Sequence, residues 1–199
     1  MVERVELHPN FPKIILASGS PRRAELLRQI ELEFEVRPSE VEEPEITQAA
    51  PAIAAQELAL AKAKAVASTL DKGLVIGADT VVVIDQDAIG KPKNNAHAIQ
   101  ILMRLSGNRH DVITGVALLD LDRDREIVWA EETAVYFRKL RQSEVLEYVR
   151  SGEALDKAGA YGIQGRAVAF VERIEGCYTN VVGLPLASLI ERLWELPAQ

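Results

Sequence analysis

Hydrophobic positions along this chain follow two periods. The run Ile14-Ile15-Leu16-Ala17 is continuous and β-branched at its start, as in a buried strand, and Ala24 to Ile30 follows with helical spacing. Between them, Ser18-Gly19-Ser20-Pro21-Arg22-Arg23 marks a helix start. Ser20 is the candidate cap, and Pro21 suits a first turn that needs no amide hydrogen. Leu32, Phe34 and Val36 alternate with Glu31, Glu33 and Glu35, which predicts a strand with one wet face. Pro38 to Ile46 carries Glu40, Glu42, Glu43 and Glu45 between prolines and reads as a loop. The alanine-rich stretch Pro51 to Leu70 predicts a long helix with Lys62 and Lys64 on different sides, so that only one can face a given site.

Leu74 to Ile84 is the strongest strand signal, nearly continuous in Val and Ile as in a strand covered on both faces, and Asp79 interrupts it. A turn at Asp85-Gln86-Asp87 and a short return through Ile89 lead to Gly90-Lys91-Pro92. A helix capped by Asn94 or Asn95 then runs to Leu105. Val112 to Leu119 and Ile127 to Phe137 are predicted to pair around the turn Asp120 to Arg125, with a helix from Ser143 to Arg150 beyond. The glycine-rich segment Lys157 to Gly165 leads into a predicted strand Val168 to Ile174, and a last helix runs from Pro185 to Leu196. This irregular mixture predicts an α/β class with a mixed sheet and helices packed on it, not a Rossmann alternation. Tyr136, Phe137, Tyr148 and Trp194 are expected in the core, while Tyr161, inside the glycine loop, is left open.

Composition narrows the chemistry. The 199 residues suffice for one sizeable core, and no linker divides them, so a single domain over 1–199 is expected. A formal net charge of −7 argues against a general nucleic-acid binder while allowing a local basic cleft for a small anion. No stretch reads as a secretory leader or a membrane span, which leaves the cytoplasm as the expected compartment and the membrane out as a partner. Cys177 is the only cysteine, and His8, His97 and His110 lack ligand spacing, so any metal is expected on oxygen ligands and the histidines on the surface or on helices. The sequence leaves the oligomeric state open; a homodimer is the commonest assembly by base rate.

Two features carry chemistry. The helix start at Ser20-Pro21 aims unpaired amides and a positive dipole end at the place where the strand stops, with the guanidinium groups of Arg22 and Arg23 beside it. This is a phosphate grip, or else a capped helix with two solvated arginines. Asp79 is a carboxylate inside an apolar strand, where burial costs several kcal/mol unless a partner or a cation meets it. Gly77 and Ala78 leave room for something to approach the backbone, and Thr80 points to the opposite face unless the strand bulges.

Together LASGSPRR (16–23), GADTVV (77–82), GKP (90–92), LSG (105–107), SGEALDKAGAYGIQG (151–165) and NVVGLP (180–185) resemble the Maf-like nucleotide pyrophosphatases over nearly the whole chain. SPRR combined with ADT and YGIQG is similar to the branch acting on dTTP and UTP. The resemblance implies a Maf/ITPase-like mixed sheet in two lobes around a central cleft. It also implies hydrolysis of a nucleoside triphosphate between the α and β phosphates, with a divalent cation, Mg²⁺ or Mn²⁺. Carried over by motif, Asp79 would accept a proton, and Arg22, Thr80 and Gln164 would set base preference. Ser20, Arg23, Lys62 and Lys91 would be further polar positions of the cleft, Lys62 and Lys91 stabilising the departing charge. Asp79 and Glu43 would hold the metal, with Glu42 able to replace Glu43. The Gln164 carboxamide suits uracil or thymine and, flipped, cytosine, so weaker CTP turnover is expected. Two other readings stay open: a nucleotide-binding regulator of cell division without turnover, and a pyrophosphatase preferring modified purine nucleotides.

Overall fold

A computed structural model describes residues 11–41 and 50–196. Its centre is a seven-stranded mixed sheet. In chain order the strands are β1 (Ile14–Leu16), β2 (Phe34–Val36), β3 (Leu74–Ile84), β4 (Asp87–Ile89), β5 (Arg109–Asp120), β6 (Arg125–Phe137) and β7 (Val171–Glu175). They lie side by side as β2-β1-β3-β5-β6-β7, with β4 paired to β3. The β2-β1-β3 part is parallel and the rest antiparallel. The helices are α1 (Pro21–Gln29), α2 (Pro51–Ala67), α3 (Asn95–Leu105), α4 (Gln142–Arg150), α5 (Tyr178–Val182) and α6 (Leu186–Trp194). Among the described residues, no helix is long and apolar enough to cross a membrane.

Strand parity decides what each face of β3 meets. Leu74, Ile76, Ala78, Val82 and Ile84 belong to the large core, which also takes side chains of α1, α3, α4 and α6. Val75 and Val81 point the other way, toward the alanine face of α2 formed by Ala55, Ala59 and Ala63. On that face stand Gly77 and, opposite Asp79 on β5, Gly115. A Cβ on Gly77 would lie 2.2 Å from the Ala59 carbonyl oxygen, and one on Gly115 2.3 Å from the Ala55 backbone. The two glycines therefore let α2 lie directly on the sheet backbone.

β3 is also where the sheet opens. β5 pairs with it from Leu74 to Val83, but on its other edge β1 stops at Ile76 and β4 begins only at Val82. The Ala17 amide donates to the Ile76 carbonyl oxygen at 2.8 Å, and there the chain leaves β1 for α1. Residues 77–81 consequently face a gap, the place where open α/β sheets commonly take ligands.

The structure departs from the sequence expectations at several places. The strand expected from Val168 begins only at Val171, because Arg166–Phe170 winds into a 3-10 turn. A short α5 precedes the last helix. Trp194 is 64% exposed rather than in the core. His110 is only 1% exposed; it packs edge-on against Phe137 and Tyr161, and its Nε2 lies 2.8 Å from the Tyr161 hydroxyl. Burial holds its pKa down near 4, so the ring is neutral at pH 7.

Candidate active site

The gap beside β3 opens into a cleft of about 770 Å³, within the range of small-molecule sites. Its floor is Asp79 and Thr80, consecutive residues on opposite faces of the strand. The register against β5 is unbroken here, so no bulge brings them to one side.

Asp79 points toward α2. Its Oδ1 receives Lys62 Nζ at 2.7 Å, and each residue is 7% exposed. The close seating of α2 on Gly77 and Gly115 brings this lysine to the carboxylate, while Lys64, on another side of the helix, pairs with Glu126 at the surface. Asp79 Oδ2 has no protein hydrogen bond among the described residues and is not among the buried atoms left without a partner, so it opens onto the cleft.

Thr80 points toward α1. Its Oγ1 accepts from Arg23 Nη2 at 3.0 Å and lies 2.9 Å from Thr114 Oγ1. Arg23 is buried and acts as a strut: its Nε donates to the Gly183 carbonyl oxygen at 2.7 Å and its Nη1 to Ser18 Oγ at 3.1 Å. Ser18 Oγ also accepts from the Ser20 amide. Ser20 occupies the cap position of α1, but its hydroxyl makes no capping bond; Pro21 opens the first turn as expected. The start of α1 is thus clamped to β3 and to the turn after α5.

Cations line the rest of the wall. Arg22 reaches across to Asp156, Nη1 to Oδ2 at 3.3 Å. Lys91 and Lys93 follow β4, and His97 in the first turn of α3 accepts the Lys93 amide on Nδ1. Gln164 is exposed at the lip of the cleft on the glycine loop. That loop is docked by Gly159, whose φ of +68° few other residues adopt and whose missing Cβ makes room for Val82. The Gly159 amide also donates to the Gly90 carbonyl oxygen.

Of the residues expected from sequence, Asp79, Thr80, Ser20, Arg22, Arg23, Lys62, Lys91 and Gln164 all line this cleft. Lys62 meets Asp79 directly. Glu43 and its alternative Glu42 lie outside the described residues. Ser18, Lys93, His97, Asp156 and Lys157 also line the cleft and were missed. Asp156 and Lys157 sit inside the motif stretch that leads to Gln164, which was the available signal. Lys157 Nζ is held by the Glu153 carbonyl oxygen and by Asp156. Tyr161 borders the cleft but is buried, and burial raises the pKa of its hydroxyl.

A cleft with this density of cations, on a chain of net charge −7, is built for a polyanion. Comparison with known proteins agrees. The family model described as Maf-like protein matches residues 13–196. The chain is 48% identical over 187 residues to a protein of Ruminiclostridium cellulolyticum, covering 92% of this chain and 96% of that one. It is 50% identical over 181 residues to one of Moorella thermoacetica, covering 91% and 93%. A protein of Geobacter metallireducens is 48% identical over 185 residues, covering 93% and 96%. Each of these relatives is named dTTP/UTP pyrophosphatase.

Proposed function

The chain belongs to the Maf-like protein family, and on that premise we propose that it hydrolyses dTTP and UTP to the nucleoside monophosphate and pyrophosphate. We take residues 1–199 as one domain of that kind. The observation that carries the reading is a buried carboxylate with one oxygen held by Lys62 and the other open to a cleft rich in cations. A protein that only bound triphosphate would gain nothing from setting Asp79 in the path of an anion unless a cation came between them.

In this reading Asp79 Oδ2 takes a proton from the water that attacks the α phosphorus, and Lys62 fixes the carboxylate by holding Oδ1. As the new P–O bond forms, the bond from the α phosphorus to the bridging oxygen breaks and its electron pair leaves on pyrophosphate. Lys91, Lys93 and Lys157 border the cleft where that charge would develop. Arg22, Thr80 and Gln164 set base preference, with Arg23 and Ser20 completing the grip at α1.

The donor set suits a divalent cation that arrives with its substrate. Among the described residues, no group of three His, Cys, Asp or Glu could cage a metal, yet Asp79 Oδ2 is an open, hard oxygen donor. Mg²⁺ typically takes one or two carboxylates and completes its shell with water and phosphate oxygens. Asp79 and Glu43, or Glu42 in its place, would hold it, cation binding then competing with proton acceptance for the one open Asp79 oxygen, and when bound it would neutralise phosphate charge.

The test is to incubate the protein with a panel of triphosphates and Mg²⁺ and to measure pyrophosphate and orthophosphate separately. Pyrophosphate from dTTP and UTP is expected, with less from CTP; release of orthophosphate alone would overturn the assigned bond.

A further inference from the structure

Three oxygens lie in a row beside the cleft, the first half-buried and the other two buried. Thr114 on β5 stands directly opposite Thr80, fully buried, with its Oγ1 2.9 Å from Thr80 Oγ1 and 3.2 Å from the Asn180 carbonyl oxygen. That carbonyl can only accept, so the Thr114 hydrogen goes to it. The reverse polarity would leave two oxygens 3.2 Å apart in a dry interior with no hydrogen between them, which costs far more than it gains. Thr114 must then accept from Thr80. Asn180 is itself immobilised, since its side-chain amide donates to the Val112 carbonyl oxygen at 3.0 Å and to Thr133 Oγ1 at 2.9 Å.

The Thr80 hydroxyl has therefore given away its only hydrogen, and one of its lone pairs is taken by Arg23 Nη2. What remains toward the cleft is a single acceptor. Phosphate, which has only lone pairs to offer, gains nothing from such a group; a donor does. In a pyrimidine nucleotide the N3–H of uracil and thymine is a donor, while N3 of cytosine is an acceptor. The relatives are named for both a ribonucleotide and a deoxyribonucleotide, so a ribose 2′-hydroxyl is not the shared donor, and the 3′-hydroxyl, which cytidine nucleotides carry as well, would give no base preference.

Building on the proposed pyrimidine triphosphatase reading, we propose that Thr114 and the Asn180 carbonyl are positioning residues. They lock the Thr80 hydroxyl as an acceptor and thereby select uracil and thymine over cytosine. A glutamine alone does not supply this discrimination, because its amide can flip. Thr80 cannot flip while Thr114 holds its hydrogen.

Thr114→Val keeps the shape and removes the acceptor, freeing the Thr80 hydroxyl to rotate and donate to cytosine N3. The ratio of kcat/KM for UTP over CTP should fall about tenfold, chiefly through a gain on CTP, while Thr114→Ser should keep the wild-type ratio. A merely structural role would lower both substrates together, and an unchanged ratio in a folded Thr114→Val protein would overturn the proposal. If that variant does not fold, Thr114→Ala, which also removes the acceptor, reads the same ratio: an unchanged ratio refutes the proposal, and a fall of about tenfold supports it. Calorimetric binding of UMP and CMP reads the same selectivity without turnover. A chain that fails to hydrolyse triphosphate but binds UMP more tightly than CMP, and loses that preference in Thr114→Val, would sink the enzymatic reading and leave this inference standing.

Discussion

Lys62 and Asp79 form a buried ion pair, Nζ to Oδ1 at 2.7 Å, where α2 crosses the middle of β3. Breaking such a pair on one side leaves a charge in a poor solvent, at a cost of about 3 kcal/mol or more. Lys62→Met should therefore lower the urea midpoint strongly. Adding Asp79→Asn to that variant should recover more than half of the loss, a coupling that a double-mutant cycle in urea would read.

The same pair also tests catalysis. Asp79→Asn keeps the size of the side chain and its bond to Lys62 but cannot take a proton, so kcat for dTTP should drop by about 100-fold or more. The variant should keep its circular dichroism spectrum. A folded Asp79→Asn protein with undiminished turnover would remove Asp79 from the chemistry.

The seating of α2 can be tested at a glycine. Gly77→Ala would place a methyl group 2.2 Å from the Ala59 carbonyl oxygen and 2.9 Å from the Ala63 methyl. Backbone cannot yield cheaply, so stability should fall by about 2 kcal/mol and kcat should fall with it as Lys62 is lifted from Asp79. Gly90→Ala, whose new methyl meets nothing within 4 Å, should leave stability within about 0.5 kcal/mol of the wild type.

Acid sensitivity should trace to His110. Its pKa is near 4 in the folded protein against an ordinary 6.5, so between these values the unfolded chain binds the extra proton. The stability it contributes is complete above pH 6.5 and is lost as the pH falls toward 4, up to about 3 kcal/mol. Urea midpoints at pH 7.5 and pH 5 should differ in the wild type, and the difference should shrink in His110→Gln.

Local sequence pattern reached some of this structure and not the rest, for identifiable reasons. β3 runs from Leu74 to Ile84 as its β-branched residues require, and Asn94 caps α3 by accepting from the His97 amide. Both are decided within a few residues. The partner of Asp79 lies seventeen positions away on another element, and only the shape of the α2–β3 contact selects Lys62 over Lys64. His110 and Trp194 went astray for one reason: side-chain type is a weak guide to burial when a polar ring finds a hydroxyl inside and a large apolar one ends a helix at the surface. Residues 166–170 are apolar enough for a strand, yet wind into a 3-10 turn behind the glycine loop. In the cleft, the motif residues were legible as a set. Arg23's role as a strut was not, because Gly183 and Thr80 reach it from 160 and 57 positions away.

Asp79 and Thr80 are neighbours in the chain but back to back across the sheet. The acid answers to α2, and the hydroxyl answers to α1, β5 and the turn after α5. On the proposed reading, substitutions on the second side would retune which nucleotide is accepted and leave the hydrolytic side as it is. A one-residue slip of β3 in its register against β5 would exchange the two and destroy both. Preference in such a scaffold would then be free to drift by point changes, while its frame would not.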